Sequence, residues 1–283
     1  MVVPPDGSRS ELPVQIDILT IFPHFFDQFL RHGMVRVARQ KGRLDVRITD
    51  LRAYAEDRHR TVDDRPYGGG PGMLLKPEPV FRALDALGLT AGAAAPEGTL
   101  PLLMCPRGQQ LGQQDLEEFS GARRWIILCG RYEGYDERIV EAYPWRRVSL
   151  GDYVLSGGEV PAMAIIEGAI RLLPGILGDG ESALRDSFNE WTGPEGLDHA
   201  HWTRPPQYRG RGVPEVLLSG DHGAIEKWRR ENSKQQRSNR WQAMRGTNPE
   251  SVSSGEPGES PARITDGEAF KEVPGENDVE QDQ

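Results

Sequence analysis

Apolar and polar positions form a regular series of short blocks over the first 175 residues. Continuous or alternating apolar runs predict strands, and apolar residues at helical spacing predict helices. The predicted strands are Val14–Thr20, Leu44–Thr49, Leu100–Cys105, Arg124–Cys129 and Arg146–Leu150. The predicted helices are Pro23–Gln40, Pro79–Leu87, Gln110–Phe119, Asp136–Tyr143 and Glu159–Leu173. This alternation predicts an α/β fold with a mostly parallel sheet and helices on both faces.

The loops after the last three predicted strands combine glycines with polar residues. They begin at Cys105, Gly130 and Gly151. In a parallel α/β sheet the ligand site lies at the carboxyl ends of the strands. Glycine lets the backbone approach a ligand closely, which suits an adenine bound by main-chain hydrogen bonds. Ordinary turn glycines are the alternative interpretation. No GxGxxG motif follows the first strand, and Met73 stands where a P-loop has lysine.

Charge divides the C-terminal part of the chain into two segments. Gly246–Gln283 contains ten acidic and two basic residues, so it carries −8 of the formal net charge of −9. Because it lacks periodic apolar positions, it is predicted to be disordered. A basic segment precedes it, with Trp228 and Trp241 among seven Lys and Arg residues between Lys227 and Arg245. This segment suits a polyanion, and a solvated surface helix is the alternative.

The remaining composition points to a cytoplasmic protein without a membrane association. No apolar run reaches the length of a membrane span, and Met1–Pro13 does not resemble a secretory signal. Cys105 and Cys129 lie in strand-like runs and are interpreted as buried thiols. His199 and His201 are two positions apart, but no cysteine or third histidine lies nearby, so no metal site is predicted.

Seven longer stretches follow one another in a recognisable order. They are Asp57–Met73, Leu128–Arg138, Val148–Ala162, Pro174–Gly178, Asp186–Phe188, Thr203–Pro205 and Leu217–His222. In these stretches the chain resembles the bacterial tRNA (guanine-37-N1)-methyltransferases, the TrmD type of the SPOUT superfamily, over residues 14–235. The resemblance implies a deep trefoil knot in the C-terminal half of the sheet. It also implies an obligate homodimer in which both subunits build each active site.

The implied activity is transfer of a methyl group from S-adenosylmethionine to N-1 of guanosine 37 in tRNA. A magnesium ion is implied at the chemical step, without a readable ligand set. The implied cofactor-binding residues are Leu103, Met104, Pro106, Gly130, Tyr132, Glu133, Leu150, Gly151, Asp152, Tyr153, Val154, Leu155, Gly157 and Gly158.

The stretch Asp57–Met73 resembles the guanosine-facing loop of the family. Its basic side chains suit phosphates, and Asp63 or Asp64 suits a guanine edge. Turn capping is the alternative role for a single aspartate. The predicted substrate-binding residues are Arg58, His59, Arg60, Asp63, Arg65 and Gly72.

The chemistry requires a base and a cation, because guanine N-1 carries a proton and is a poor nucleophile until that proton leaves. We predict Asp186 as the general base and Arg171 as its electrostatic partner. The alternatives are a solvated aspartate in a linker and an arginine that interacts with the helix macrodipole.

These expectations divide the chain into five parts. They are an N-terminal extension (1–13), a SPOUT-like cofactor-binding catalytic domain (14–177), a flexible linker (178–192), a small helical tRNA-binding domain (193–245) and the acidic tail (246–283). Two other function classes stay open. One is a nucleotide hydrolase that uses the glycine-rich loop, and the other is a non-catalytic RNA-binding module with a methyltransferase-like body.

Overall fold

A computed structural model describes residues 12–177, 186–188 and 196–244 of the chain. Its central sheet has five strands: β1 (Val14–Thr20), β2 (Leu44–Asp50), β5 (Thr99–Gln110), β6 (Arg124–Leu128) and β7 (Arg146–Ser149). Their order is β2-β1-β6-β5-β7, and every neighbouring pair is parallel. Two short strands, β3 (Asp63–Asp64) and β4 (Leu74–Leu75), pair antiparallel outside this sheet. The predicted parallel sheet is therefore confirmed.

Five helices accompany the sheet: α1 (Gly33–Gln40), α2 (Pro77–Ala86), α3 (Gln113–Ser120), α4 (Glu137–Ala142) and α5 (Glu159–Ile170). Successive strand residues face opposite sides of a sheet. Accordingly, Leu102 and Met104 of β5 belong to the core formed with α1, α3 and α5. Leu103 between them belongs to the core formed with α2 and α4. Both faces of the sheet are thus covered, as a parallel sheet requires. The trefoil knot stays a prediction.

The predicted helix Pro23–Gln40 is wrong in its first half. That part forms two 3₁₀ turns, Pro23–Phe26 and Phe29–Arg31, and only α1 is α-helical. The reason lies at the junction, where His32 is extended with φ −126° and ψ 169°. The next residue, Gly33, has φ +61°, a value that glycine adopts readily. The apolar spacing was right, since Phe26 and Leu30 are buried, but the backbone between them is not one helix.

Strand β5 continues past its predicted end through an irregularity. Both Met104 and Gln109 pair with Val148 of β7, so the four residues between them loop out of the ladder. A side chain at Gly108 would strike the backbone of Arg147 and Val148, which explains a glycine at this position. The looped-out residues include Cys105, which is buried, and Pro106, which is exposed.

Beyond residue 196 the described chain forms a small antiparallel pair and two helices. The pair joins Gln207–Tyr208 to Arg211–Gly212, and the helices are Glu215–Leu218 and His222–Met244. The predicted helix Gly223–Arg240 lies within the second of these. By its internal contacts the chain divides into the units 1–240 and 241–283.

The predicted domain boundaries stay predictions. Of the predicted extension only residues 12 and 13 are described, and of the predicted linker only 186–188. The acidic tail lies outside the described residues. Within the described part of the chain, none of the helices combines the length and the apolar character needed to cross a membrane.

Candidate active site

A pocket opens at the carboxyl ends of β5, β6 and β7, where the sequence places its three glycine-rich loops. The first loop is the looped-out segment 105–108 of β5, the second follows β6, and the third joins β7 to α5. The pocket is lined by Met104, Cys105, Pro106, Gly130, Arg131, Tyr132, Glu133, Gly134, Tyr135, Val148, Ser149, Leu150, Gly151, Tyr153, Val154, Leu155, Ser156, Gly157, Gly158 and Pro161. The pocket thus lies at the edge where parallel α/β sheets usually bind their ligands.

Twelve of the fourteen predicted cofactor-binding residues line this pocket, and two do not. Leu103 is fully buried in the core between the sheet and α2, since its side chain points to the opposite face from Met104. Asp152 belongs to the third loop but is not part of the pocket wall. Sequence reasoning missed several wall residues, among them Arg131, Tyr135 and Ser156. Their positions inside the predicted loops were the available signal.

Two glycines of the third loop are required by close packing. A β-carbon at Gly158 would lie 2.8 Å from the Cys129 Cα atom, and one at Gly151 would lie 2.8 Å from the Tyr153 ring. The Gly158 amide donates a hydrogen bond of 2.8 Å to the Gly130 carbonyl, which joins the third loop to the second. These glycines consequently let the third loop pack closely against the end of β6.

The floor of the pocket contains a buried phenol. The Tyr135 hydroxyl donates to the Met104 carbonyl at 2.9 Å and lies 3.2 Å from the Leu128 carbonyl. Burial raises the pKa of Tyr135 well above its usual value, so the phenol stays protonated and acts as a donor. Its ring fills the space that a side chain at position 130 would need, which explains Gly130. Tyr135 therefore ties the ends of β5 and β6 together.

Both cysteines are buried free thiols, as the sequence predicts. Burial raises the pKa of Cys129 well above that of a free thiol, with a further contribution from the nearby Glu159 carboxylate. A thiol in such surroundings remains protonated and unreactive.

The predicted guanosine-facing loop lies against the second pocket loop. Glu133 N donates to the Met73 carbonyl at 3.0 Å, and Leu75 N donates to the Gly134 carbonyl at 2.9 Å. The Tyr132 hydroxyl donates to Asp63 Oδ1 at 3.1 Å. Burial, helped by the Asp63 carboxylate, raises the pKa of Tyr132, which keeps this donor protonated. Asp63 is thus brought to the pocket, next to a residue that lines it.

Gly72 also meets the pocket wall, since a side chain there would collide with Glu133. The four predicted phosphate-binding side chains, Arg58, His59, Arg60 and Arg65, are all exposed. Asp57 acts as the capping residue of this loop. It accepts hydrogen bonds from His59 N and Thr61 N, and the hydrogen bond from Thr61 N contributes most to lowering its pKa.

Asp186 and Arg171, the predicted base and its partner, form an ion pair. Arg171 follows the last residue of α5, and Asp186 belongs to the described segment 186–188. Their side chains are 32% and 41% exposed, so solvent or a substrate can reach them. Neither residue lines the pocket, which adjoins the opposite end of α5. The structure thus brings the two predicted catalytic residues together, away from the cofactor residues of the same chain.

His199 and His201 both contact Asp198. Nδ1 of His199 lies 2.6 Å from one carboxylate oxygen, and Nε2 of His201 lies 2.9 Å from the other. Their possible ligand atoms lie within 4.8 Å of one another. One ring nitrogen of each histidine thus already has a carboxylate partner. This cluster holds one carboxylate among two imidazoles, which does not match the oxygen ligands that magnesium prefers.

Together, the parallel sheet and the pocket at its carboxyl edge are typical of the class of α/β proteins that bind a small molecule at this edge. Comparison with known sequences narrows this class. A model of the family described as tRNA (Guanine-1)-methyltransferase TrmD matches residues 14–245, and the chain belongs to this family of methyltransferases.

Three relatives named tRNA (guanine-N(1)-)-methyltransferase illustrate the similarity. The protein of Halorhodospira halophila is 49% identical over 215 residues, which cover 76% of this chain and 78% of that protein. The protein of Moorella thermoacetica is 47% identical over 220 residues, covering 78% and 85%. That of Bacillus subtilis is 46% identical over 220 residues, covering 78% and 87%.

Proposed function

We propose that this chain transfers a methyl group from S-adenosylmethionine to N-1 of guanosine 37 in tRNA, with Asp186 as the general base. The observation that supports this most is the Arg171–Asp186 ion pair in a member of the tRNA (guanine-1)-methyltransferase family. A carboxylate and a guanidinium in contact are the two groups that proton removal from guanine needs.

The pocket fits the proposed cofactor in its chemistry. The loops that carry Gly130, Gly151 and Gly158 bring main chain to the pocket wall, where it can approach an adenine edge, and Leu155 and Pro161 offer apolar surface to the adenine faces. Backbone donors and acceptors combined with apolar walls are typical of small-molecule sites. When bound, S-adenosylmethionine supplies an electrophilic methyl group. The chain itself must orient the guanine, exclude water and take up the N-1 proton.

The proton transfer sets the demand on Asp186. The guanine N-1 proton is about as acidic as a phenol, near ~10, and a free aspartate has a pKa near ~3.9. Unaided transfer is therefore uphill by roughly 6 pKa units, or ~8 kcal/mol. Burial under bound RNA makes a carboxylate a stronger base, and a cation beside guanine O-6 stabilises the developing negative charge. Arg171 meets the second requirement if its guanidinium leaves Asp186 and approaches guanine O-6 when the substrate binds.

We infer a homodimer from the distance between the cofactor pocket and the Arg171–Asp186 pair. The pocket adjoins the first residues of α5, whereas Arg171 follows the last one. Twelve helical residues span about 18 Å. A methyl transfer needs its reacting atoms within about 3–3.5 Å. We therefore propose that Asp186 of one subunit serves the pocket of its partner, in keeping with the shared sites that the resemblance implies.

An apolar surface beside the pocket supports the same assembly. Phe22, Phe25 and Val160 are each almost half exposed, and Val154 is 86% exposed. The two phenylalanine rings lie within 6 Å of Arg131 in the pocket wall, so this surface adjoins the site. Exposed apolar side chains grouped in this way mark interaction surfaces. A second copy that contributes its own α5 end would cover them.

The tRNA is proposed to bind through the guanosine-facing loop and the basic helix His222–Met244. The trefoil knot and the small helical tRNA-binding domain belong to this proposal, because both are family features that suit the observed sheet and helices. A tRNA substrate also places the activity in the cytoplasm. The magnesium requirement remains an expectation, and we assign no step to the ion because the Asp198 cluster does not suit it.

The direct test is transfer of a labelled methyl group to tRNA transcripts that differ only at position 37. We expect transfer to the transcript with guanosine at that position and none to the matched transcript with adenosine. Digestion and mass spectrometry should assign the label to N-1 of guanosine. Binding of tRNA without any transfer would contradict the proposal and favour a non-catalytic RNA-binding module instead.

A further inference from the structure

A buried carboxylate lies directly behind the pocket wall. Glu159, the first residue of α5, is 1% exposed and does not line the pocket. Its Oε1 atom accepts a hydrogen bond of 2.7 Å from the Thr20 hydroxyl at the end of β1. Its Oε2 atom accepts one of 2.9 Å from Arg131 Nε in the loop after β6. The carboxylate thus joins the carboxyl ends of two strands to the start of a helix.

Arg131 is the member of this group that reaches the pocket. Its guanidinium carbon lies 4.6 Å from the centre of the Phe22 ring and 5.6 Å from that of Phe25. The Nη1 atom lies 3.4 Å from the Ser156 carbonyl oxygen in the loop after β7. Arg131 is therefore fixed by a carboxylate, flanked by two aromatic rings and in contact with the third pocket loop.

The third loop is shaped around the guanidinium. A β-carbon at Gly157 would collide with the Arg131 side chain, so the loop can pass here only as glycine. On the other side of the loop, the Gly158 amide binds the Gly130 carbonyl. A movement of the Arg131 side chain would consequently displace the loop 151–158, which connects β7 to α5.

We propose that Thr20 and Glu159 are positioning residues for the cofactor: they fix Arg131, and Arg131 holds the loop 151–158 in its binding shape. The inference rests on the proposed function, which supplies S-adenosylmethionine as the ligand. The physical reason is burial. An ion pair removed from water is held in place because either charge without its partner is strongly unfavourable there. A buried pair therefore defines one loop geometry more sharply than exposed contacts do.

The test replaces Glu159 by glutamine, which keeps the shape of the side chain and removes its charge. Calorimetry with S-adenosylmethionine should show affinity weakened by at least about tenfold, because Arg131 loses its buried counter-charge. The tRNA affinity should stay as in the wild type. In steady-state transfer the KM for the cofactor should rise by the same factor, and kcat at saturating cofactor should fall by less than about threefold.

Asp17→Asn is the matched control. Asp17 is also buried and also pairs with an arginine, since Arg124 Nη2 lies 2.7 Å from its carboxylate. Arg124 begins β6, at the opposite edge of the sheet from the pocket. We expect Asp17→Asn to lower the melting temperature while the affinity for S-adenosylmethionine stays unchanged. Equal losses of cofactor affinity in both variants would show a general effect on stability and overturn the inference.

Thr20→Val provides a milder variant in case Glu159→Gln does not fold. It replaces the hydroxyl by a methyl group, which removes the hydrogen bond to Glu159 Oε1 and the one that the hydroxyl accepts from Phe22 N. The cofactor affinity should fall by about threefold, less than in Glu159→Gln, because the Arg131–Glu159 ion pair remains. Wild-type affinity in Thr20→Val or in folded Glu159→Gln would contradict the positioning role. If the wild-type protein itself does not bind S-adenosylmethionine, the proposed function fails rather than this inference.

Discussion

The two ends of helix α5 are built in opposite ways. At its start, Glu159 is almost fully buried and hydrogen-bonded to residues at the ends of two strands, beside the pocket. At its end, Arg171 and Asp186 pair with each other and remain about one-third and two-fifths exposed. One end is packed into the sheet, and the other is accessible from solution.

This difference matches what each end is proposed to do. A cofactor site gains from loops that are already in place, because little ordering remains to oppose binding. A general base is best completed only when the correct substrate arrives, since closure then couples catalysis to recognition. In this proposal the same helix carries a preformed cofactor site at its start and, at its end, a catalytic pair that is completed only when RNA binds.

The largest effect is expected at the end of α5, where Arg171 pairs with Asp186. Asp186→Asn should slow methyl transfer by about 10²–10⁴-fold, because the amide keeps the shape but cannot accept the N-1 proton. Cofactor affinity and melting temperature should hardly change, since Asp186 lies outside the pocket. Single-turnover transfer to guanosine-37 tRNA, together with calorimetry, measures both.

Asp45→Asn is the control for that variant, because Asp45 is a partly exposed partner of Arg47, as Asp186 is of Arg171, and does not line the pocket. It should transfer methyl groups at the wild-type rate. Near-normal single-turnover rates in Asp186→Asn would rule out Asp186 as the base. Glu133 and Asp152 in the pocket loops would then be the next candidates.

A smaller effect is expected at the start of α5, beside the pocket. Gly157→Val should weaken S-adenosylmethionine binding by about 10- to 100-fold, which corresponds to about 1–3 kcal/mol of overpacking against Arg131. Gly112→Val is a fair comparison, since Gly112 has a φ of −124° and a β-carbon there meets nothing closer than 3.7 Å. Unchanged affinity in Gly157→Val would move the cofactor away from the loop after β7.

The smallest effect is expected from the acidic tail, which belongs to neither end of α5. Removal of Gly246–Gln283 takes away −8 charges and no periodic apolar pattern. The melting temperature should shift by less than about 2 °C. Affinity for tRNA at low salt should hold or rise, by up to about threefold, because repulsion from the RNA is lost. A large loss of stability would show that the tail packs against the rest of the chain.

The sequence predicts the sheet and the pocket loops well, because both depend on local signals. Apolar runs such as Val14–Thr20 define the strands, and strand ends define the edge where ligands bind. The helical spacing of Phe26 and Leu30 led to the wrong prediction of a single helix at Pro23–Gln40. The extended residue His32 and the left-handed Gly33 divide that segment. Leu103 was predicted to bind the cofactor, but side chains along β5 alternate between the two faces of the sheet, and that of Leu103 packs in the core with α2 and α4.

The group of Thr20, Arg131 and Glu159 could not be predicted from the sequence in the same way. Thr20 and Glu159 are 139 residues apart, and no periodicity connects them. Only the fold brings the ends of β1 and β6 to the start of α5. The Arg171–Asp186 contact was predicted because the resemblance supplied both residues, whereas the separation between that pair and the pocket became visible only along the length of α5.

The central claim is that one subunit supplies the pocket and its partner supplies the base. Co-expression of Gly157→Val and Asp186→Asn chains with different tags tests it. The assay keeps S-adenosylmethionine well below its dissociation constant for Gly157→Val, so that each variant alone is strongly impaired at every site. In a two-fold symmetric mixed dimer, one site combines both defects and the other combines neither. Random pairing should therefore restore about a quarter of the wild-type transfer activity, and purified mixed dimers about half. Mixed dimers that stay as inactive as the two parent variants would show that each chain builds its site alone.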